Sequence, residues 1–176
     1  MTMDLESIEK IRQLKARYFR AIDTADQDLI RSCFAEDATV AFEGGNYVIN
    51  LDGINEIAGF LHSAFHEKCA TMHLGNHPEI TVSGNSADGI WYLYDIFYDL
   101  HNGIVRNGTA LYEDRYVQQS DNWVIQYSGY KRIWERMEKV SGDAGFTYRH
   151  LAEAGSKLAG KPKGVEMLTS EARGEK

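Results

Sequence analysis

Ala87-Asp88-Gly89-Ile90-Trp91-Tyr92-Leu93-Tyr94-Asp95-Ile96-Phe97-Tyr98-Asp99-Leu100 decides how this chain folds. The run is dense in aromatic and apolar residues, which suit a pleated, half-buried surface. Asn102-Gly103 follows almost at once, a strong hairpin signal. Ile104 to Gln119 then reads as a second long strand, and Ser120-Asp121-Asn122 turns it into a third, Trp123 to Glu135. On the upstream side, Pro78 to Ser83 reads as a shorter strand turned by Gly84-Asn85. Fourteen residues of strand reach roughly 46 Å. Strands that long must curl, so the spacing predicts a strongly bent antiparallel sheet.

The chain before the sheet is helical. Leu5, Ile8, Ile11, Leu14, Tyr18 and Ile22 recur at three and four residues, one stripe of an amphipathic helix. Lys10, Arg12, Lys15 and Arg17 are read as its opposite, solvated side. Thr24-Ala25-Asp26-Gln27 has the form of a capping box opening a short second helix with Leu29, Ile30, Cys33 and Phe34 buried. Ala35-Glu36-Asp37 is read as a break before β spacing from Ala38 to Glu43. Gly44-Gly45-Asn46 then turns the chain back into Tyr47 to Ile49. Asp52 is the expected cap of a third helix carrying Ile54, Ile57, Leu61, Ala64 and Phe65. Helices first and a meander afterwards make an α+β arrangement. The simplest closure is a cone-shaped half-open barrel, in which the curved sheet wraps around the N-terminal helices and leaves a cavity. Residues 1–140 are expected to form this single domain. Residues 141–176 form a C-terminal extension, helical over Phe146 to Leu158 and mobile from Ala159 onward.

Composition narrows the partners. A net charge of −7 and no basic block argue against nucleic acid bound through its phosphates. No apolar run is long enough for a membrane span, and Met1 to Lys10 is polar and acidic, so a cytoplasmic location is expected. Cys33 and Cys69 stand at no metal spacing and read as buried free thiols. His62 and His66 are four apart on the third helix but lack the HExxH order, so no metal site is expected.

The chemistry candidates surround Thr71-Met72-His73-Leu74-Gly75-Asn76-His77-Pro78-Glu79-Ile80. His73 is the natural general acid or base, since imidazole titrates near neutrality. Asp23, at the end of the first helix, is placed to orient it, and a carboxylate there would hold the imidazolium formed in the transition state. Tyr18, about one turn earlier on the apolar stripe, offers a phenol to a substrate carbonyl. In the first long strand Trp91, Leu93, Asp95 and Phe97 share a face; in the last, Val124, Gln126, Ser128, Tyr130, Arg132 and Trp134 do. Asp95 and Arg132 among such neighbours either pair with each other across the sheet or face a cavity and its ligand.

Arg17-Tyr18-Phe19-Arg20-Ala21-Ile22-Asp23, Met72 to Ile80, Trp91-Tyr92-Leu93-Tyr94-Asp95 and Gly129-Tyr130-Lys131-Arg132 resemble the SnoaL-like branch of the NTF2-like superfamily, with closest likeness to the bile acid 7α-dehydratase group. The resemblance covers roughly residues 5 to 138. It implies a cystatin-like cone with a deep apolar pocket, no cofactor, and assembly into a homo-oligomer, a dimer or trimer. Carried over, Tyr18 polarises a ketone, His73 moves protons and Asp23 orients His73. Phe42, Trp91, Asp95, Tyr130 and Arg132 are the candidate substrate-binding residues. Phe42 stands where a pocket tyrosine is expected, and Asn76-His77 replaces a Gly-His order. The expected function is a cofactor-independent lyase of the dehydratase type acting on a bulky polycyclic or aromatic, steroid-like, hydrophobic small molecule. The alternatives are a C–C lyase releasing formaldehyde, an isomerase, or a non-catalytic binding subunit.

Overall fold

The computed structural model describes residues 3–140, 145–158 and 165–167. Helix α1 spans Leu5–Asp23, started by Asp4, whose side chain accepts the Ser7 amide at 3.1 Å. Its predicted stripe points inward: Ile11, Leu14, Tyr18 and Ile22 are buried. Burying each of these large side chains contributes about 1.5–3 kcal/mol. Lys15 departs from expectation, since it too is fully buried. Helix α2, Gln27–Cys33, is capped by Asp26, which accepts the Leu29 amide. The expected Thr24 box does not form, because Thr24 instead ends α1 with its amide turned back to Arg20 and Ile22.

Strands β1 (Phe34–Glu43) and β2 (Tyr47–Asp52) form the expected hairpin. Helix α3 covers Ile54–Ala64; β3, β4, β5 and β6 cover Cys69–Ser83, Ser86–Asp99, Ile104–Gln119 and Asn122–Lys139. Short α4, Leu151–Ala154, and β7, Val165–Met167, complete the described residues. The seven strands form one sheet in the order β3-β4-β5-β6-β1-β2-β7. It curves over α1 and α3 without closing, so the α+β half-open cone is the observed architecture.

Several local expectations are corrected. Strand β1 begins at Phe34, with no break at 35–37, and takes up the extra residues as a register shift between Phe34 and Thr39. Its pairing with β6 is parallel, the one exception in an otherwise antiparallel sheet. Asp52 ends β2, and Gly53, at φ +80°, caps α3, a conformation that glycine adopts at little cost. Strand β3 starts at Cys69, not Pro78, so His73 lies within a strand. Helix α4 has only four residues of the expected 146–158; the segment is tied down instead by a bridge between Ser156 and His66 and by Phe146 edge-on to Tyr98. The tail from Ala159 falls outside the described residues, except β7. No described helix is long and apolar enough to cross a membrane.

Two irregularities in β6 reset which residues face inward. Opposite Arg115/Tyr116 and opposite Thr109/Ala110, β6 carries one extra residue, Gln126 and Ile133. Each bulge flips the alternation. The inward set becomes Ile125, Ser128, Tyr130, Arg132 and Glu135. Trp134 does not share the face of Arg132, and is about half exposed at 48%.

Candidate active site

The concave face of the sheet, with α1 and α3, encloses a cavity of about 740 Å³. That is ample for a polycyclic molecule. Tyr18 from α1, Phe42 from β1, His73 from β3, Asp95 from β4, and Tyr130 and Arg132 from β6 all line it. Trp91 is not among the lining residues. It sits deeper in the cone, where its indole donates to the Tyr116 hydroxyl at 2.9 Å.

Asp23 and His73 meet. His73 Nδ1 lies 2.7 Å from Asp23 Oδ1, the His73 amide donates to Asp23 Oδ2 at 2.9 Å, and the Thr71 hydroxyl donates to Oδ1 at 2.7 Å. The arrangement follows from topology. Strand β3 is the sheet edge, so its outward amides have no strand to pair with, and the carboxylate ending α1 takes one. Since the carboxylate accepts, Nδ1 carries the proton, and in the neutral imidazole Nε2 is the nitrogen left to act as base. His73 lines the cavity and its side chain is only 9% exposed. Phe19 stacks on the imidazole (centroids 6.1 Å) and Phe65 meets it edge-on (5.7 Å). A Cβ on Gly75 would fall 2.4 Å from the Phe19 ring, so glycine there permits the stack.

Four phenols line the same space: Tyr18, Tyr47, Tyr112 and Tyr130. Burial pushes the Tyr18 phenol well above its ordinary range; its hydroxyl interacts with that of Tyr112, which burial raises too. Both therefore remain proton donors at any ordinary pH. Tyr112 stands among Phe19, Phe42 and Tyr130 at centroid distances of 5.9, 6.0 and 5.0 Å.

Asp95 and Arg132 satisfy both readings left open by the sequence. They form a two-pronged pair, Nη1 to Oδ1 at 2.5 Å and Nη2 to Oδ2 at 2.7 Å, and both line the cavity. Arg132 also donates through Nε to the Tyr47 hydroxyl at 3.2 Å, and Glu135 Oε2 lies 3.3 Å from the same nitrogen. Sequence reasoning did not find Thr71, Tyr47, Tyr112 or Glu135. Thr71 and Tyr112 lay open to strand alternation, being two residues from His73 and aligned with Ala110 and Asp114. Glu135 did not, because a bulge brings it inside.

His66 is buried. Its Nε2 lies 3.2 Å from Cys69 Sγ, and its Nδ1 accepts the Lys68 amide at 3.2 Å. Cys33 and Cys69 are both buried and free, and burial pushes the Cys69 thiol up to about 12. Among the described residues no three His, Cys, Asp or Glu side chains cluster as metal ligands. His77 is exposed, at φ +50° beside a register shift in β3.

Comparison with known proteins places the chain. A putative scytalone dehydratase from Novosphingobium aromaticivorans matches at 14% identity and TM-score 0.65, covering 88% of this chain and 95% of that one. The hexachlorocyclohexane dehydrochlorinase LinA-type3 from Novosphingobium barchaimii matches at 16% and 0.66, covering 82% and 94%. A Nostoc punctiforme protein of unknown function with a cystatin-like fold matches at 17% and 0.59, covering 74% and 92%. At these identities the likeness is one of fold. A family model described as SnoaL-like domain matches residues 3–129, and the chain accordingly belongs to the SnoaL-like domain family.

Proposed function

We propose that the protein is a cofactor-independent lyase of the dehydratase type, acting on a bulky, hydrophobic, polycyclic or aromatic ketone that carries a hydroxyl β to its carbonyl. The observation that carries this reading is the Asp23-backed imidazole of His73 opening onto a large cavity that the phenol of Tyr18 also lines. His73 Nε2 takes the proton on the carbon next to the ketone, and Asp23 holds the resulting imidazolium. Tyr18, with Tyr112 behind it, donates to the ketone oxygen as it gains enolate charge. The enolate re-forms the ketone, the β C–O bond breaks, and the departing hydroxyl takes the proton back from His73, so the balance is loss of one water. The dehydratase and dehydrochlorinase named above remove small groups by elimination, according to their names, which is consistent with this reading. The C–C lyase and isomerase alternatives draw on the same three residues.

A panel of polycyclic β-hydroxyketones, followed by product mass, tests the proposal. His73→Ala and Tyr18→Phe are each expected to lower turnover by about 10²–10⁴-fold while the fold persists. Products lacking formaldehyde rather than water would move the reaction to carbon–carbon cleavage. Parental turnover in both variants would remove the chemistry from these residues, and a parent that binds the ketones without turning them over would leave a binding subunit. The outward sheet face, where Leu74, Tyr92, Leu111 and Trp134 are each 40–48% exposed, suits the dimer or trimer expected of the chain. Light scattering gives the count.

A further inference from the structure

The cavity has a second polar cluster beside the dyad, reached through Asp95, the cross-strand neighbour of His73. The hydroxyls of Tyr47 and Tyr130 lie 2.8 Å apart, and Tyr47 also accepts from Arg132 Nε at 3.2 Å. Two hydroxyl protons are present and only one can lie between the two oxygens. Whichever tyrosine donates, the other keeps a free O–H. Among the described residues neither hydroxyl has a further partner. Both rings line the cavity, and Phe42 stacks on Tyr130 at 4.6 Å. An acceptor oxygen on a ligand would take up that open donor. Burial raises both phenols above their ordinary range, so the proton is retained.

The charges in this cluster cancel. Arg132 is held by both oxygens of Asp95, and Glu135 Oε2 lies 3.3 Å from Arg132 Nε and 3.6 Å from Arg106 Nε. Two cations thus face two carboxylates, and Asp99 on the lining adds a further negative charge. Lys15, the nearest other buried cation, is sealed against Asp114 and does not line the cavity. A ligand carboxylate would have to displace Asp95 or Glu135 from an arginine.

We propose that the Tyr47–Tyr130 pair is a second ligand subsite that takes a neutral acceptor oxygen, such as a ketone, and discriminates against a carboxylate. The substrate class is thereby narrowed to uncharged molecules with a second oxygen function. The inference rests on the dehydratase reading only for which oxygen function reacts; the subsite serves a binding subunit equally.

Titration calorimetry on the full chain with three rigid probes tests it: androstenedione, with a ketone at each end; androstenone, with one; and the androstenone skeleton bearing a carboxylate in place of the second ketone. The diketone is expected to bind about three- to tenfold tighter than the monoketone, and the acid no tighter than the monoketone. The double variant Tyr47→Phe with Tyr130→Phe should abolish the diketone preference. His73→Ala should keep it, which separates failure of the subsite from failure of the proposed chemistry. The ranking in the unmodified protein needs no variant to fold. Equal affinities for the two ketones, including binding by neither, overturn the proposal, as does an acid that matches the diketone or a double variant that retains the preference.

Discussion

Asp23 stands at the junction of helix and edge strand and receives three donors from two residues of β3. Asparagine there keeps the shape but puts an NH₂ where one of those donors points, and removes the charge that holds an imidazolium. Asp23→Asn is therefore expected to cut turnover by about 10²–10⁴-fold with a smaller change in KM. The cost to stability should be about 1–3 kcal/mol, since at least one buried donor loses its acceptor. Thermal melting beside kinetics on the β-hydroxyketone panel checks both parts, and unchanged kcat in a folded variant would contradict the dyad. At this scale the sequence was legible where residue chemistry is special. A histidine, a carboxylate at a helix end and a tyrosine on an apolar stripe are few enough to single out. Thr71 was passed over because a hydroxyl beside a strand histidine is common. Tyr47 was passed over because its hairpin gives no sign of what lies across the barrel.

Elements were legible by period and misread where the period slips. Helix α1 shows the limit of assigning lysine to water by habit. Lys15 is four residues after Ile11 and three before Tyr18, which puts it on the buried stripe. There its Nζ lies 2.7 Å from Asp114 Oδ2, outside good hydrogen-bond alignment, and 3.5 Å from the centre of the Tyr112 ring. Asp114 also accepts from Tyr116 and Ser128, each at 2.6 Å. The pair thus fastens α1 to β5 and β6 behind the phenols of the cavity. Desolvation pushes the Lys15 ammonium below its ordinary range. Removing one partner strands the other charge in the interior. Lys15→Met alone should destabilise by about 3–5 kcal/mol, whereas Lys15→Met with Asp114→Leu should lose less than the single change. Urea melts of the two variants decide it; a double variant worse than Lys15→Met would show that the hydroxyls of Tyr116 and Ser128 depend on Asp114 more than Lys15 does. The bulges at Gln126 and Ile133 were not legible, because nothing in Ile125 to Glu135 marks an extra residue until β5 is laid beside it.

For the whole molecule, the chain after the sheet returns to the cavity mouth. Ser156 pairs with the backbone at Phe65 and Glu67, Arg149 donates to the carbonyl of Glu67 at 2.8 Å, and Leu158 lines the cavity with His66. The turn holding this return is organised by a neutral His66. Its Nδ1 must accept from the Lys68 amide, and a second ring proton would oppose that donor. Burial acts in the same direction, holding the imidazole below its ordinary 6.5, with Asp99 and Glu67 opposing the shift and His101 adding to it. The folded chain therefore binds fewer protons here than the unfolded chain as pH drops below 6.5. This contribution to stability is complete above that value and is lost progressively as acid protonates the unfolded state. Melting temperature should fall between pH 7 and pH 5, and His66→Gln, which cannot titrate, should show a shallower fall over the same interval. Because His66 and Leu158 share the cavity wall, acid should also lower the amide-exchange protection factors over 149–158, taken relative to the intrinsic rate at each pH, in the parent more than in His66→Gln. Equal slopes in the two proteins would assign the acid response to other groups and leave the return segment independent of His66.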